Sequence, residues 1–185
     1  MPNARGAFGL FHSVMLESEA PQAVLARETP LDFEDFFERE HRRLGKAFYL
    51  LTGDPHEAED LAQEALARAY ERWDRIASVE SPIGYVYTIG VNLHRRRLRR
   101  LLRRPQVDPP EPAADPVESA GPRADVLRAL RAISVPQREA LILVEWLGYD
   151  AEEAGLVLGI EAASVRGRLH RARDALRREL GEFND

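Results

Sequence analysis

D-A-E-E-A-G-L-V-L-G-I-E-A-A-S-V-R-G-R-L-H-R-A-R, residues 150–173, sets two amphipathic stretches on either side of a glycine. Ala154, Leu156, Leu158 and Ile160 lie on or around a tight turn at Gly159, a residue with the freedom that a helix C-cap needs. Beyond the turn, Val165, Leu169, Ala172, Leu176 and Leu180 recur at helical spacing as one stripe for burial. Ser164, Arg166, Gly167, Arg168, His170 and Arg171 point away from that stripe. A short helix, a glycine turn and a second helix with small and basic residues in its exposed N-terminal half reads as a helix-turn-helix. The chemistry suits DNA. A helix N-terminus favours phosphate, Gly167 permits close backbone approach, and arginine forks onto guanine or phosphate. The competing reading is a solvated, arginine-rich surface helix.

Charge separates the two. The whole chain is acidic, with a net charge of −5 over 185 residues, yet Ser164–Leu180 holds six arginines against two acids. Such local segregation marks a basic surface masked by acids elsewhere. Only Lys46 is a lysine, and arginine is the cation whose planar fork fits phosphates and base edges. The chain has no cysteine, which removes disulfides, thiolate zinc sites and thiol redox switching. No apolar run approaches the ~18 residues of a membrane span. The N-terminal stretch lacks a signal-peptide pattern, so the cytoplasm is the expected compartment. His12, His41, His56, His94 and His170 are scattered, and no catalytic triad order, H-E-x-x-H or phosphate-cradling glycine loop is present. His56 with Glu59 and Asp60 reads as a solvated helix start rather than a metal site. An enzyme is not expected, nor a cofactor or a small-molecule substrate.

Upstream, residues 1–30 show no sustained period and read as a flexible arm, in which Met15 is a second candidate start. From Leu31, Phe33, Phe36, Phe37, Leu44, Phe48 and Leu51 fall at helical spacings. Asp54-Pro55 opens a second helix with Glu57 three residues after the cap. Its apolar stripe is Leu61, Ala65, Leu66, Ala69 and Trp73; Glu57, Asp60, Gln63, Glu64, Arg68 and Glu71 form the other face. A loop over 74–81 leads to a third helix, capped by Ser81-Pro82 and ending near Arg104. Residues 105–123 are rich in proline and acids and read as a linker that cannot offset its ordering entropy. Helices resume at Ala124 and run through 124–185: one through Ile133, one from Pro136 to about Leu147, then the pair around Gly159. The expectation is an all-α chain of two small helical domains, 31–104 and 124–185, with the helix-turn-helix in the second.

The third helix carries another basic run, seven arginines between 95 and 104, preceded by Tyr85, Tyr87, Thr88 and Asn92. Rings and amides followed by arginines suit single-stranded nucleic acid, where a stacked base contributes roughly 1–3 kcal/mol. Alternatively, Tyr85, Tyr87, Ile89 and Leu93 are core and the arginines a solvated helix end.

Together, E-A-E-D-L-A-Q-E-A-L-A-R-A-Y (57–70), S-P-I-G-Y-V-Y-T-I-G-V-N-L-H-R-R-R-L-R-R (81–100) and G-I-E-A-A-S-V-R-G-R-L-H-R-A-R-D-A-L-R (159–177) resemble the extracytoplasmic-function (ECF) sigma factors of bacteria, sigma-E-like members of the sigma-70 family. The resemblance covers residues 31–104 and 124–180. It implies that the first domain is region 2, binding RNA polymerase core and melting the minus-ten element, and that the second is region 4, reading the minus-thirty-five element. By position, Asp60, Gln63 and Glu64 match residues that meet the clamp of the polymerase beta-prime subunit. Tyr85, Thr88, Asn92, Arg95 and Arg96 fall on the minus-ten helix, and the 74–81 loop resembles one that captures a flipped base. Ser164, Arg166, Gly167, Arg168, His170 and Arg171 fall on the recognition helix. Implied partners are polymerase core (beta-prime clamp and beta flap), promoter DNA and, in many members, an anti-sigma factor. The acidic linker resembles the segment that threads the polymerase cleft. Gly155 stands where the family has alanine and is expected to loosen its helix. Glu145-Trp146 is an uncommon pair. The alternative function is a helix-turn-helix regulator that binds duplex DNA without polymerase core.

Overall fold

A computed structural model describes residues 31–103 and 122–181, so the arm at 1–30 and the linker through residue 121 lie outside the described residues. Eight α-helices and no strand occur among the described residues. The first, α1 (Phe33–Thr52), has Glu34 and Asp35 in its first turn, where acids complement the helix dipole. It ends at Gly53, whose φ of 72° is the left-handed conformation of a C-cap, and the Gly53 amide donates to the Tyr49 carbonyl at 2.8 Å. Phe36, Leu44, Phe48 and Leu51 are buried as the periodicity predicts. Phe37 departs from the pattern: it is 41% exposed and stacks on His41.

Helix α2 (Pro55–Tyr70) starts on Asp54, whose Oδ1 accepts from the His56 and Glu57 amides at 2.8 and 2.9 Å. Glu57 does not return to the cap; its Oε1 lies 3.0 Å from His94 Nδ1 instead. The stretch expected as a loop after Trp73 opens with one helical turn, α3 (Trp73–Ile76). It forms because Trp73 and Ile76 are both buried and Trp73 Nε1 donates to the Leu31 carbonyl at 2.7 Å, tying the start of the domain to its middle. Helix α4 (Pro82–Arg103) begins beyond Ser81, whose Oγ accepts from the Gly84 amide at 3.3 Å. Tyr87 of α4 stacks on Phe48 of α1 with ring centroids 5.7 Å apart. Gly90 lets the helices close up, since a Cβ there would strike the Phe48 ring.

The C-terminal half begins with α5 (Pro122–Ala132), two residues before the expected start. Helix α6 (Val135–Leu141) then widens into a π-turn over Ile142–Trp146, with the Leu147 amide donating to the Ile142 carbonyl at 2.9 Å. Sequence periodicity predicts one continuous helix here. Asp150 and Glu153 cap α7 (Ala151–Leu158) reciprocally, each side chain accepting from the other's amide at 2.8 Å. Helix α8 (Ala162–Gly181) buries Val165, Leu169, Ala172, Leu176 and Leu180, the whole predicted stripe.

The two halves share one apolar core and are tied further by polar contacts. Arg131 and Arg138 donate to the Gly53 and Leu51 carbonyls at 2.7 and 2.6 Å. Helix α1 has no basic residue in its own last turn, so the C-terminal half supplies the cations that its dipole favours. Around the other side, Arg43 donates to the Leu147 carbonyl at 2.8 Å, and Trp146 Nε1 to the Arg43 carbonyl at 3.1 Å. Lys46 sits 5.8 Å from the Trp146 ring centroid. The π-turn thus gives the uncommon Glu145-Trp146 pair its place. Trp146 turns toward α1, while Glu145 accepts from Arg173 of α8.

Candidate nucleic-acid interface

Three surfaces carry the residues singled out in the sequence. On the first, Gly159, with φ of 67°, turns the chain between α7 and α8. The Ile160 amide closes the turn onto the Gly155 carbonyl at 3.0 Å. Gly155 is required rather than loosening. A Cβ on it would stand 2.7 Å from the Ile160 backbone oxygen, so alanine does not fit this turn. Ser164, Arg166, His170 and Arg171 are exposed on the first turns of α8. Arg166 Nη1 donates to Glu152 Oε1 of α7 at 2.8 Å, and His170 Nε2 lies 3.2 Å from Asp174 Oδ2. Gly167 and Arg168 are half-buried, and the Arg168 Nη1 atom is enclosed without a hydrogen bond. The helix N-terminus, its arginines and the small residues at 163, 164 and 167 therefore share one outward face that can receive phosphates and base edges.

On the second surface, α2 holds Asp60, Gln63 and Glu64 together on its outer face. Arg68 donates to Glu64 at 2.6 Å, and Arg97 of α4 reaches Glu64 at 3.3 Å and Asp60 at 4.0 Å. Asp60 keeps 70% of its side-chain exposure, which leaves the stripe acidic toward solvent.

The third surface is α4, and here the alternatives separate. Tyr87 is wholly buried, whereas Tyr85 is 42% exposed, so one ring is core and the other stands at the surface. Asn92 and Arg96 are exposed. Thr88 and Arg95 are only half-buried, but both are engaged by the C-terminal half. Thr88 Oγ1 donates to the Gly84 carbonyl at 2.8 Å and to the Val157 carbonyl at 3.3 Å. Arg95 makes a forked contact with Glu139 of α6: Nε donates to Oε1 at 2.8 Å and Nη2 to Oε2. Glu139 is completely buried. Its hydrogen bond holds the Arg95 guanidinium above its ordinary range against the opposing effect of burial. Burial, assisted by Glu139, pushes the Tyr87 phenol well up, and burial next to Arg131 draws Arg138 down. A cavity of about 220 Å³ lies beside this contact, lined by Thr88, Asn92 and Arg95 of α4 and by Leu156, Val157 and Gly159. Neither Glu139 nor Tyr149, which bonds Ser81 Oγ through its hydroxyl, stands out in the sequence, because each partner lies far away along the chain.

Comparison with known proteins places the chain in a family. The sigma-70 region 2 family model matches residues 36–104, and the sigma-70 region 4 model matches residues 123–176. The RNA polymerase sigma-E factor of Streptomyces coelicolor is 33% identical over 153 residues, spanning 81% of this chain and 86% of that protein. The ECF RNA polymerase sigma factor SigM of Mycobacterium tuberculosis is 32% identical over 159 residues, spanning 82% and 79%. This chain belongs to the ECF RNA polymerase sigma factors. Its fold is similar to that of the sigma factor RpoE of Bartonella quintana, solved with the anti-sigma factor NepR. That match has a TM-score of 0.67 and 24% identity, and it covers 81% of this chain and 97% of that one. As a sigma factor, the chain directs transcription initiation. Among the described residues, no helix is long and apolar enough to cross a membrane, and no group of three acidic or histidine side chains could hold a metal ion.

Proposed function

We propose that this ECF sigma factor acts in the cytoplasm as a dissociable, non-enzymatic initiation subunit, with its tasks divided among the three surfaces. Residues 31–104 serve as region 2 and 124–185 as region 4, joined by the linker 105–123. Asp60, Gln63 and Glu64 dock on the polymerase beta-prime clamp. Tyr85, Thr88, Asn92, Arg95 and Arg96 take the opened minus-ten strand. Ser164, Arg166, Gly167, Arg168, His170 and Arg171 read the minus-thirty-five duplex, with region 4 seated near the beta flap. The observation that carries this reading is the outward basic face at the start of α8, held in place by the Gly159 turn and distant in sequence from a separate acidic face on α2. An anti-sigma partner fits the same surfaces, as the Bartonella protein was solved with one.

The test is binding of the labelled full chain to bacterial RNA polymerase core and, separately, to duplex DNA, by anisotropy at one near-physiological salt concentration. Salt is fixed because arginine–phosphate affinity falls steeply with it. Tight core binding with weak binding to free duplex is the expected result. Strong duplex binding without core binding would instead identify a conventional regulator. An arginine forked onto a base contributes roughly 1–3 kcal/mol of discrimination. Replacing exposed Arg166 and Arg171 with Glu should therefore lower promoter use about a hundredfold while leaving core affinity unchanged. Converting Gln63 and Glu64 to Ala should lower core affinity without unfolding the chain, and promoter use should fall with it.

A further inference from the structure

The basic side chains on the outer face of α8 are not held alike. Arg166 stands near the start of the helix, in the half from which a recognition helix reaches base edges. Its Nη1 donates at 2.8 Å to Oε1 of Glu152, a partner 14 residues away on α7. His170, by contrast, is held from within α8, its Nε2 lying 3.2 Å from Asp174 Oδ2. The span of the tie between the helices is fixed by the turn. Gly159 is left-handed, the Ile160 amide closes on the Gly155 carbonyl, and Gly155 has no room for a Cβ. Asp150 and Glu153 make the cap of α7, which leaves Glu152 to face α8.

Stability does not explain the pair. The Glu152 side chain is 66% exposed and that of Arg166 58%, and an ion pair so open to water contributes little to folding. Its effect falls on direction. A guanidinium is a rigid plane of donors, so a carboxylate on Nη1 fixes where the remaining Nε and Nη2 edge points. That edge is a two-pronged donor of the kind that meets O6 and N7 of guanine. Left unheld, the same side chain would lose more rotamer freedom on contact and would turn as readily to a nearby phosphate. We propose that Glu152 is a positioning residue for DNA recognition, holding Arg166 so that it reads one guanine of the minus-thirty-five element, and so setting promoter specificity rather than affinity. This rests on the reading of α8 as the duplex-binding helix. A carboxylate that served only the dipole of α7 would leave sequence discrimination untouched.

The test uses holoenzyme reconstituted from the full chain and bacterial RNA polymerase core. It is presented with a duplex promoter library randomised over the minus-thirty-five segment, and bound sequences are counted against the input. The parent chain should show a guanine preference at one position that Arg166→Ala abolishes. Glu152→Gln should lower that same preference about fivefold and leave the other positions as they are. Its thermal midpoint should match that of the parent, since the pair is exposed. Glu161→Gln removes an equal charge from an exposed site just before α8 and controls for net charge. It should strengthen binding to all sequences alike. The positioning role alone is overturned if Glu152→Gln keeps the preference that Arg166→Ala loses, or if Glu161→Gln lowers it equally. An Arg166→Ala chain with every parental preference would overturn base reading by Arg166, and the role of Glu152 with it.

Discussion

Gly155 and Tyr87 show how a single side chain can be judged by opposing magnitudes. Alanine at 155 would gain about 1 kcal/mol in helix propensity over glycine. Its Cβ would meet a backbone oxygen at 2.7 Å, which cannot rotate away as a side chain can. Overpacking of that kind costs about 1–3 kcal/mol, so the clash wins. Gly155→Ala should lower unfolding stability by about 1 kcal/mol, read as a lower denaturant midpoint at unchanged slope. Tyr87 argues in the other direction. Its hydroxyl is buried without a hydrogen bond, which costs about 1–3 kcal/mol, so Tyr87→Phe should stabilise the chain by about 1 kcal/mol at neutral pH. The phenol's pKa is raised in the fold. Its neutral-state contribution is therefore complete below the ordinary tyrosine value near 10 and is lost as pH climbs above it. Tyr87→Phe should flatten that alkaline loss without abolishing it, because Tyr149 is also raised by burial and keeps part of it. Urea titrations at neutral pH and above pH ~10 would check both points; an unchanged alkaline slope would exclude Tyr87 as its source.

Elements governed by local rules were legible in the sequence, and those governed by distant partners were not. The α8 stripe and the Asp54 cap follow from spacing and side-chain chemistry within a few residues, and the structure has both. Asp54→Ala should destabilise α2 by about 1 kcal/mol, visible as a lower thermal midpoint, since both amides it accepts from are left to water. The π-turn at 142–146 was hidden because its cause is tertiary. One extra residue in the turn lets Trp146 reach α1 while Ile142 and Leu143 stay buried. Phe37 fits a helical apolar pattern but falls beyond the edge of the buried stripe. Tyr85 and Tyr87 look alike in sequence and have opposite fates, because only Tyr87 faces Phe48. Within the candidate site, the arginines and the turn glycine were readable. Glu139, placed 44 residues from Arg95, was not, because no local pattern marks a lone acid in an apolar helix.

At the scale of the molecule, the two halves share one apolar core and are tied further by polar contacts at its edge, and Trp146 is placed to report on their union. The chain has two tryptophans. Trp73 is buried within its own half, packed against Phe33 and Phe36, so opening does not change its surroundings. Trp146 is the opposite case: its indole donates to Arg43 of the other half and lies under Lys46, so opening hands it to water. In a Trp73→Phe background, where Trp146 alone emits, Glu139→Gln should therefore shift the emission to longer wavelength and increase quenching by acrylamide. Glu38→Gln, which removes an equal charge from an exposed site on α1, should leave both unchanged. Circular dichroism should show the same helix content in all three chains, because opening breaks contacts between helices and none within them. If Trp146 emission stays fixed in Glu139→Gln, the carboxylate acts on Arg95 locally and the halves do not part. If emission moves, the forked Arg95–Glu139 pair helps to hold the two halves together.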